Sequence, residues 1–435
     1  MIPTRRFWAL IAVGIGLALL GAVVPGMERV VMPYNLILFV LLFLTGLAVP
    51  RAKYLRIERS HDMALSVRQP NKISLTVFND AGVPIRGRVR EGSPEFMQVS
   101  QVEFKLAIPA RRSHALEYHL TPDTRGEERF RDVTLRLLAP LGLVEVERTL
   151  PGTGVIHVYP NVLALREYDL LKQRGKLSMM GIRQTRIRGQ GTEFESLREY
   201  HHDDYRRIDW KSSARRNKLV VRDYEVERNQ NVIVCLDIGR AMLAEVDGVG
   251  KLDLCLDACL MLLHAARSEG DQTGLMVFSD RVHQFIPPGK GRQQNGAIMD
   301  AVHDLDAVPV EANYDEAFNY LRSRWKRRSL IAVFTDSEDE AHARTLTRAL
   351  SPVCRHHLVL LVRVSDPRIK ELQQLPLASP KDLFLRSAAL WYSSERRRAE
   401  SVLAGSGVKS VDSEPKDLTQ ALVSTYLLVK ETARL

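Results

Sequence analysis

The stretch "NVIVCLDIGRAM", residues 231–242, decides the fold of the second half of the chain. Its first part is an apolar run that ends abruptly at Asp237. A short apolar run without alternation is typical of a strand buried on both faces, as in a parallel sheet covered by helices. Ligands bind such sheets at the carboxyl ends of the strands, so Asp237 is a candidate binding residue.

The same pattern repeats toward the C-terminus. Apolar runs such as "TGLMVFS", "SLIAVFTD" and "HHLVLLVRV" alternate with segments of helical period such as "KLDLCLDACLMLLHAARSEG" and "EDEAHARTLTRAL". This alternation predicts a doubly wound α/β domain over residues 229–435. Asp336, at the end of "SLIAVFTD", is a second carboxylate expected at the carboxyl edge of the sheet.

Upstream, residues 54–160 consist of short alternating runs such as "KISLTVFND" and "EFKLAIPA", separated by turn residues. This spacing predicts an antiparallel β-sandwich, immunoglobulin-like in outline. Residues 161–228 are rich in arginine and poor in long apolar runs. We expect a basic connector there, with a loop over "QRGKLSMMGIRQTRIRGQGTEF" and one strand-like stretch, "KLVVRDYEVE".

Residues 1–53 contain two long apolar segments, "FWALIAVGIGLALLGAVV" and "VVMPYNLILFVLLFLTGLAV". Each is close to the roughly 20 residues that span a bilayer as a helix, which predicts a two-helix transmembrane hairpin. Arg5 and Arg6 precede it while Arg51 and Lys53 follow it, so both ends are expected on the cytoplasmic side of a bacterial inner membrane. A cleaved signal peptide over residues 1–24 is the alternative.

Composition narrows the function classes. The net charge of +10 is concentrated near the middle of the chain. Arg183, Arg186 and Arg188, which lie there, lack the interleaved aromatic residues of a nucleic-acid surface, so we expect no nucleic-acid partner. Contact of these arginines with anionic lipid is the alternative hypothesis. The 4 cysteines all lie in the second half in apolar surroundings, which indicates buried thiols and a cytosolic body.

One segment carries a family resemblance. The stretch "REYHHDDYRRIDWKSSARRNKLVVRDYEVER", followed by "VIVCLD", resembles the bacterial domain of unknown function 58 family, and "RIDWKSSAR" with "LVVRDYE" is its most distinctive part. The resemblance implies a C-terminal domain similar to the von Willebrand factor type A fold. It further implies a non-enzymatic, membrane-anchored adaptor or chaperone-like assembly factor whose partner is a MoxR-type AAA+ ATPase.

In type A domains that bind metal, the first strand ends in the motif Asp-x-Ser-x-Ser. A Ser or Thr of a later loop is a further metal ligand. Hydroxyl and carboxylate oxygens suit a hard dication. This chain instead has Gly239 and Ala241 at the hydroxyl positions, Arg240 between them, and Ala312 or Asn313 in the later loop. We therefore expect no cofactor; Mg²⁺ held by Asp237 and Asp336 is the alternative.

Asp237 is then expected to accept backbone hydrogen bonds from the turn behind its strand, and Asp336 to do the same or to pair with Arg240. The predicted binding edge for a protein partner comprises Asp237, Gly239, Arg240, Asn313 and Asp336.

The family segment offers a second candidate surface. Arg207, Asp209 and Trp210 lie among charges of both signs, which predicts an ion-pair network that docks this segment onto the sheet or onto a partner. The stretch from His201 to Asp204 raises the alternative of a metal-dependent hydrolase that also uses Asp237. No nucleophile-elbow, H-E-x-x-H or P-loop motif occurs in the sequence, so we expect no enzyme.

Overall fold

The computed structural model describes residues 1–24, 28–62, 64–92, 97–152, 154–160, 162–173, 175–180, 182, 193–200, 205, 208–225, 229–336 and 339–431. The chain divides into two compact units, Met1–Val162 and Leu163–Leu435.

The first unit combines two helices with sheets that are antiparallel except for the pair β3 and β12. Its helices are α1, Arg5–Gly21, and α2, Glu28–Leu47. Its strands are β1 Ile2–Pro3, β2 Leu55–His61, β3 Leu65–Ser66, β4 Asn71–Asn79, β5 Ile85–Arg90, β6 Met97–Val99, β7 Glu103–Ile108, β8 Arg112–Pro122, β9 Gly126–Arg129, β10 Val133–Leu138, β11 Val144–Leu150 and β12 Val155–Tyr159.

Two sheets of this unit share a core. One sheet has the order β1-β11-β10-β5-β7 and the other β2-β4-β8-β6, with antiparallel pairing throughout. Alternate residues of β4 and β10, among them Leu75 and Leu135, point into one apolar cluster. The alternation in the sequence therefore produces facing antiparallel sheets, as predicted, while the immunoglobulin-like outline stays a prediction.

Of the described residues, one helical segment, Arg29–Leu47, is long and apolar enough to cross a membrane. Helix α1 has 17 residues and begins with two arginines. Its remaining apolar part, about 15 residues, extends about 23 Å at 1.5 Å per residue. That length is short of the roughly 30 Å hydrocarbon core, so the first of the two predicted spans, and with it the two-helix hairpin, is not confirmed.

Both helices are tied to β11 at their outer ends. The Thr4 backbone N–H donates to the Leu143 carbonyl at 3.0 Å, and Arg148 donates to the Pro50 carbonyl at 3.2 Å. Between the helices, the Tyr34 hydroxyl donates to the Leu10 carbonyl at 2.8 Å. The start of α1 and the end of α2 are therefore held next to the same strand.

The second unit is a doubly wound α/β domain. Its helices are α3 Val162–Gln173, α4 Trp210–Arg216, α5 Lys251–Ser268, α6 Arg292–Val302, α7 Tyr314–Arg324, α8 Glu340–Cys354, α9 Pro367–Gln373, α10 Pro380–Ala404 and α11 Pro415–Glu431. Its strands are β13 Glu193–Glu199, β14 Val220–Glu225, β15 Asn231–Asp237, β16 Glu245–Val246, β17 Val249–Gly250, β18 Gln272–Phe278, β19 Val282–Gly289, β20 Leu330–Phe334, β21 Leu358–Val364 and β22 Lys409–Ser413.

The main sheet has the order β19-β18-β15-β20-β21-β22. Every pair in it is parallel except β18 with the edge strand β19. Residues of β15 are buried on both faces: Val234 packs into the cluster with α5 and α11, and Cys235 into the cluster with α7 and α8. The apolar run that ends at Asp237 is therefore a central strand of a sheet covered on both sides, as predicted.

The predicted basic connector differs from the structure. Helix α3 occupies its start, and Tyr168, Leu177 and Ile182 are buried in the same cluster as β15 and α5. Strand β13 pairs antiparallel with β14, so the stretch has a second strand besides the predicted one. This segment is part of the second unit because a few apolar side chains anchor it to the core.

Candidate functional site

The site is built at the carboxyl edge of the main sheet. Asp237 is the last residue of β15, and Thr335 and Asp336 directly follow β20. Since β15 and β20 pair in parallel with Leu236 opposite Phe334, their ends bring these polar residues together. The structure thus places both sequence-predicted carboxylates at one site.

Asp237 is fully buried and accepts two hydrogen bonds. Its Oδ1 accepts the Gly239 backbone N–H at 2.7 Å, and its Oδ2 accepts the Thr335 hydroxyl at 2.6 Å. The Tyr314 hydroxyl lies 2.9 Å from the Thr335 hydroxyl and extends this network. Burial raises the pKa of Asp237 to about 6, although both hydrogen bonds act in the opposite direction. The bond from Gly239 is the turn-organising contact expected for Asp237.

Asp336 is paired with a lysine that the sequence did not identify. The Lys251 Nζ lies 2.7 Å from Asp336 Oδ2, and the two side chains are only 6% and 2% exposed. Arg396, from α10, approaches Asp336 Oδ1 at 3.5 Å and also binds Asp412 at 2.9 Å. The pairing of Asp336 with Arg240, one of the two predicted alternatives, is wrong.

Arg240 instead lies at the surface. Its guanidinium contacts Glu311 at 2.8 Å, with 65% and 60% of the two side chains exposed. The Arg240 backbone N–H donates to the Val310 carbonyl at 2.8 Å. The turn after β15 is thereby joined to the loop that precedes α7.

The residues present do not fit a divalent metal ion. The Lys251 ammonium already neutralises Asp336, the carboxylate that would have to bind the dication. A side chain at residue 239 has no space, because a Cβ there would lie 2.8 Å from the Val310 carbonyl oxygen and 3.0 Å from Asp237 Oδ1. Ala241, at the other hydroxyl position, has no oxygen to offer. Over the part of the chain that the structure describes, no group of 3 or more potential metal-binding side chains is found.

Above these buried groups lies a small cavity of about 160 Å³. Its outer wall is formed by Arg240, Glu311, Asp339 and His342, which we call the charged rim. His342 Nδ1 lies 2.9 Å from Asp339 Oδ2, and His342 Nε2 lies 3.7 Å from Glu311. The hydrogen bonds that Asp339 accepts from the backbone and side chain of His342 lower its pKa. The charged rim therefore presents charges of both signs to solvent.

Asn313 does not join this site. Its side chain accepts the Glu316 backbone N–H at 3.1 Å and so caps the N-terminus of α7. The neighbouring Ala312 and Tyr314 line the cavity instead. The structure thus gives Asn313 a capping role, while its contribution to partner binding stays a prediction.

In the family segment, Asp209 caps α4 by accepting the Ser212 backbone N–H at 3.0 Å. Trp210 is 66% exposed at the first turn of that helix. Asp209 therefore has a local structural role, while Trp210 presents an aromatic surface. Arg207, the arginines 183, 186 and 188, and the stretch from His201 to Asp204 lie outside the described residues.

The site contains groups that sequence reasoning missed. Lys251, Tyr314, Thr335 and Arg396 all contact or support the two carboxylates. Thr335 directly precedes Asp336, so its place beside Asp237 follows once the two strands are paired. The contribution of Arg396 had no local signal, because α10 lies 60 residues further along the chain.

Fold and site together define a class: a doubly wound α/β domain with a buried lysine–aspartate pair at the carboxyl edge of its sheet. Residues 196–383 match the family described as "Protein of unknown function DUF58". This match confirms the predicted resemblance over those residues.

Curated relatives are similar over part of the chain. "Uncharacterized protein Rv1480" of Mycobacterium tuberculosis is 25% identical over 213 residues, which is 48% of this chain and 66% of that protein. "Uncharacterized protein YeaD" of Bacillus subtilis is 28% identical over 130 residues, 29% of this chain and 32% of that protein. The chain thus spans just under two thirds of the mycobacterial relative and about one third of the Bacillus one.

Two solved structures are similar to the chain over nearly half its length. The SpRpn10 VWA domain is 15% identical and is matched over 45% of this chain and 94% of that one, with a TM-score of 0.29. The conserved hypothetical protein BatB from Bacteroides thetaiotaomicron is 15% identical over 46% of this chain and 98% of that one, with the same TM-score.

Proposed function

We propose that this protein is a non-enzymatic, membrane-anchored adaptor or chaperone-like assembly factor that binds protein partners, among them a MoxR-type AAA+ ATPase. The observation that carries the proposal is the buried Lys251–Asp336 pair beneath an exposed charged rim. The ammonium supplies the positive charge that a dication would supply, so the edge of the sheet needs no metal to be assembled.

The division between buried and exposed groups favours recognition over catalysis. Asp237 and Asp336 are buried, and each has its hydrogen-bond or ionic partners within the site. The exposed groups are those of the charged rim, of which Arg240 and Glu311 are more than half exposed. Charged groups at a rim contribute chiefly to partner choice and association rate. A partner that carries a complementary pair of charges would replace the Arg240–Glu311 contact by contacts of its own.

An exposed apolar surface on α10 supports a protein partner. Phe384 and Trp391, seven residues apart on one helix, are 74% and 66% exposed, and Leu383 is 54% exposed. Clustered exposed aromatic residues are typical of protein interaction surfaces and rare elsewhere on monomers. Arg396 of the same helix reaches Asp336, so α10 connects this surface to the site.

Membrane anchoring is supported by the first unit. The segment Arg29–Leu47 has the length and composition of a membrane span, and most of its large apolar side chains are exposed. Arg5, Arg6 and Arg51 flank the helices, and the outer ends of both helices are held next to β11. We propose the bacterial inner membrane, with two spans and with the N-terminus and the β and α/β regions on the cytoplasmic side.

The test is capture of partners from bacterial membranes by the tagged full chain, comparing wild type with Arg240→Glu. The substitution places two acidic side chains side by side at the charged rim and should reduce capture of the partner severalfold. Lys72→Glu is the matched control, because Lys72 forms a similarly exposed pair with Glu117 at 2.9 Å, with 61% and 60% of the two side chains exposed.

Three results of this experiment bear on the adaptor role and on the charged rim. Loss of an AAA+ ATPase from the Arg240→Glu sample alone, with unchanged melting temperature, supports the rim as the partner surface. Absence of any AAA+ ATPase from the wild-type sample removes the support for the adaptor role. Equal loss in the Lys72→Glu sample would mean that overall charge, not the rim, governs capture.

A further inference from the structure

A second cavity lies in the first unit, where helix α2 ends. It has a volume of about 490 Å³. Its walls are residues 48–50, which directly follow α2, residues 83–86 at the start of β5, and residues 137–142 at the end of β10 and in the loop before β11. Arg6 of α1 completes the lining. Three parts of the antiparallel region and both helices therefore meet around one cavity.

The sequence places this cavity at one end of the candidate membrane span. Ala48 directly follows the segment Arg29–Leu47, whose length and composition suit a bilayer. On α1, Arg6 directly precedes the apolar part of the helix, in which Trp8 is exposed. Arginine and exposed tryptophan at a helix end are typical of the boundary between hydrocarbon and water. With the membrane anchoring proposed above, on which this inference rests, the cavity lies at that boundary.

The walls of the cavity expose apolar side chains. Val83, Leu138 and Leu141 are 45%, 38% and 63% exposed, and all three line the cavity. A single exposed apolar residue is ordinary on a protein surface, but several around one cavity indicate a contact with an apolar partner. Beside a membrane span, the acyl chains of lipids are the nearest apolar material.

Leu141 adds an independent sign that this wall is used. Its φ is +67°, in the left-handed region that a leucine rarely adopts, because its Cβ then approaches the carbonyl oxygen. The loop is held in place, since the Thr4 hydroxyl donates to the Gly142 carbonyl at 2.7 Å and the Gly142 backbone N–H donates to the Ala139 carbonyl at 2.9 Å. Glycine or asparagine would adopt this conformation at lower cost. An exposed leucine in it gains nothing from water, which points to an apolar ligand for its side chain.

Two arginines decide which lipid fits. Arg6 Nη1 lies 3.5 Å from the Leu141 carbonyl oxygen, so this guanidinium is next to the apolar wall. Arg86, from β5, lines the same cavity, and none of the described lining residues is acidic. The usual excess of positive residues beside a span accounts for Arg6 but not for Arg86, which comes from the sheet. Guanidinium groups beside an apolar wall match the phosphate and the acyl chain of one molecule.

We propose that this cavity binds an anionic phospholipid of the membrane. The phosphate is held by Arg6 and Arg86, and an acyl chain lies against Val83, Leu138 and Leu141. The volume lies in the range of small-molecule sites, which is enough for a headgroup and the first part of a chain. The bound lipid joins α1 to β5 and so holds the antiparallel sheet at the membrane surface.

The test measures stabilisation of the full chain by lipid. The chain, in neutral detergent at constant ionic strength, is titrated with dioleoyl phosphatidylglycerol or dioleoyl phosphatidylcholine while the melting temperature is recorded. Wild type is compared with Arg6→Gln/Arg86→Gln. The matched control, Arg5→Gln/Arg90→Gln, removes two charges from the same helix and the same strand, at positions outside the lining. All four side chains are exposed, so the folds should persist.

We expect phosphatidylglycerol to stabilise wild type and the control at lower concentration than phosphatidylcholine does. The variant Arg6→Gln/Arg86→Gln should need at least about tenfold more phosphatidylglycerol, because its charged hydrogen bonds to the phosphate are lost. Leu141→Asn tests the apolar wall: its lipid-free melting temperature should not fall, since asparagine tolerates a positive φ, while its response to lipid should weaken.

Three results would each overturn the proposal: no preference for phosphatidylglycerol, an equal response of Arg6→Gln/Arg86→Gln and the control, or a Leu141→Asn variant that responds like wild type. Carbonate extraction of membranes that contain the full chain tests the anchoring separately. A chain that stays in the membrane but shows no such differences refutes the lipid site alone. A chain that is extracted, yet discriminates between lipids and variants as expected, refutes the anchoring and keeps the lipid site.

Discussion

Replacement of Lys251 by methionine should destabilise the second unit without affecting the helix that begins there. Methionine has nearly the volume of lysine and a similar helix propensity, so the change removes chiefly the charge. The 2.7 Å pair with Asp336 is almost completely buried. Removal of one partner of a buried ion pair costs about 3–5 kcal/mol, because the other charge is left in a site of low polarity.

The lower end of that range is expected here. Arg396 still lies 3.5 Å from Asp336 and compensates part of the charge. At about 2 °C per kcal/mol for a unit of this size, the loss of about 3 kcal/mol lowers the melting temperature by about 6 °C. Differential scanning fluorimetry of the full chain measures the shift. Lys430→Met is the matched control, since Lys430 forms an equally buried pair with Asp271 at the far side of the unit.

A charge-balanced variant provides the decisive comparison. Lys251→Met/Asp336→Asn removes both charges and should recover most of the lost stability, because no uncompensated carboxylate remains. The Lys430→Met loss should not be recovered by Asp336→Asn. If Lys251→Met leaves the melting temperature within about 1 °C of wild type, or if Asp336→Asn adds to the loss, the lysine is not the cation of this site.

Three further predictions concern the same edge. First, Asp237→Asn should remove a pH dependence of stability. The pKa of Asp237 rises from 3.8 in the unfolded chain to about 6 in the folded state, so the folded state binds the proton more tightly and wild-type stability falls by about 2 kcal/mol between pH 4 and 6. The difference in stability between wild type and variant, measured across that range, should follow this fall. Second, millimolar Mg²⁺ or Mn²⁺ should not raise the wild-type melting temperature; a rise that Asp237→Ala abolishes would show a metal site. Third, Gly239→Ser should lower the melting temperature and still confer no Mg²⁺ response, because its Cβ would collide with the Val310 carbonyl; a metal-dependent rise in this variant would contradict that reading.

The central sheet could be predicted because a strand that is buried on both faces has a continuous apolar sequence. Strands β15, β18, β20 and β21 are continuous apolar runs, and each lies where such a run was found. The edge strand β19 contains Pro287 and Pro288, which a central strand would exclude. An edge strand accepts proline because one side of it makes no ladder hydrogen bonds, so its sequence looks like a loop.

The prediction of a connector over residues 161–228 missed helix α3. This helix buries Tyr168 in the core of the second unit, and Leu165 and Leu171, partly buried, pack against the same core. Tertiary contacts, which the local pattern does not report, decide the conformation of such a segment.

The lysine beside Asp336 does have one local sign in the sequence. Lys251 is the first residue of α5, and a cation at a helix N-terminus is repelled by the helix dipole. A lysine is retained at such a position when its charge is used elsewhere. The absence of hydroxyls at residues 239 and 241 shows only that the oxygen ligands are lost. The lysine at the start of the next helix places an ammonium beside Asp336, so the chain itself supplies a cation to this buried carboxylate.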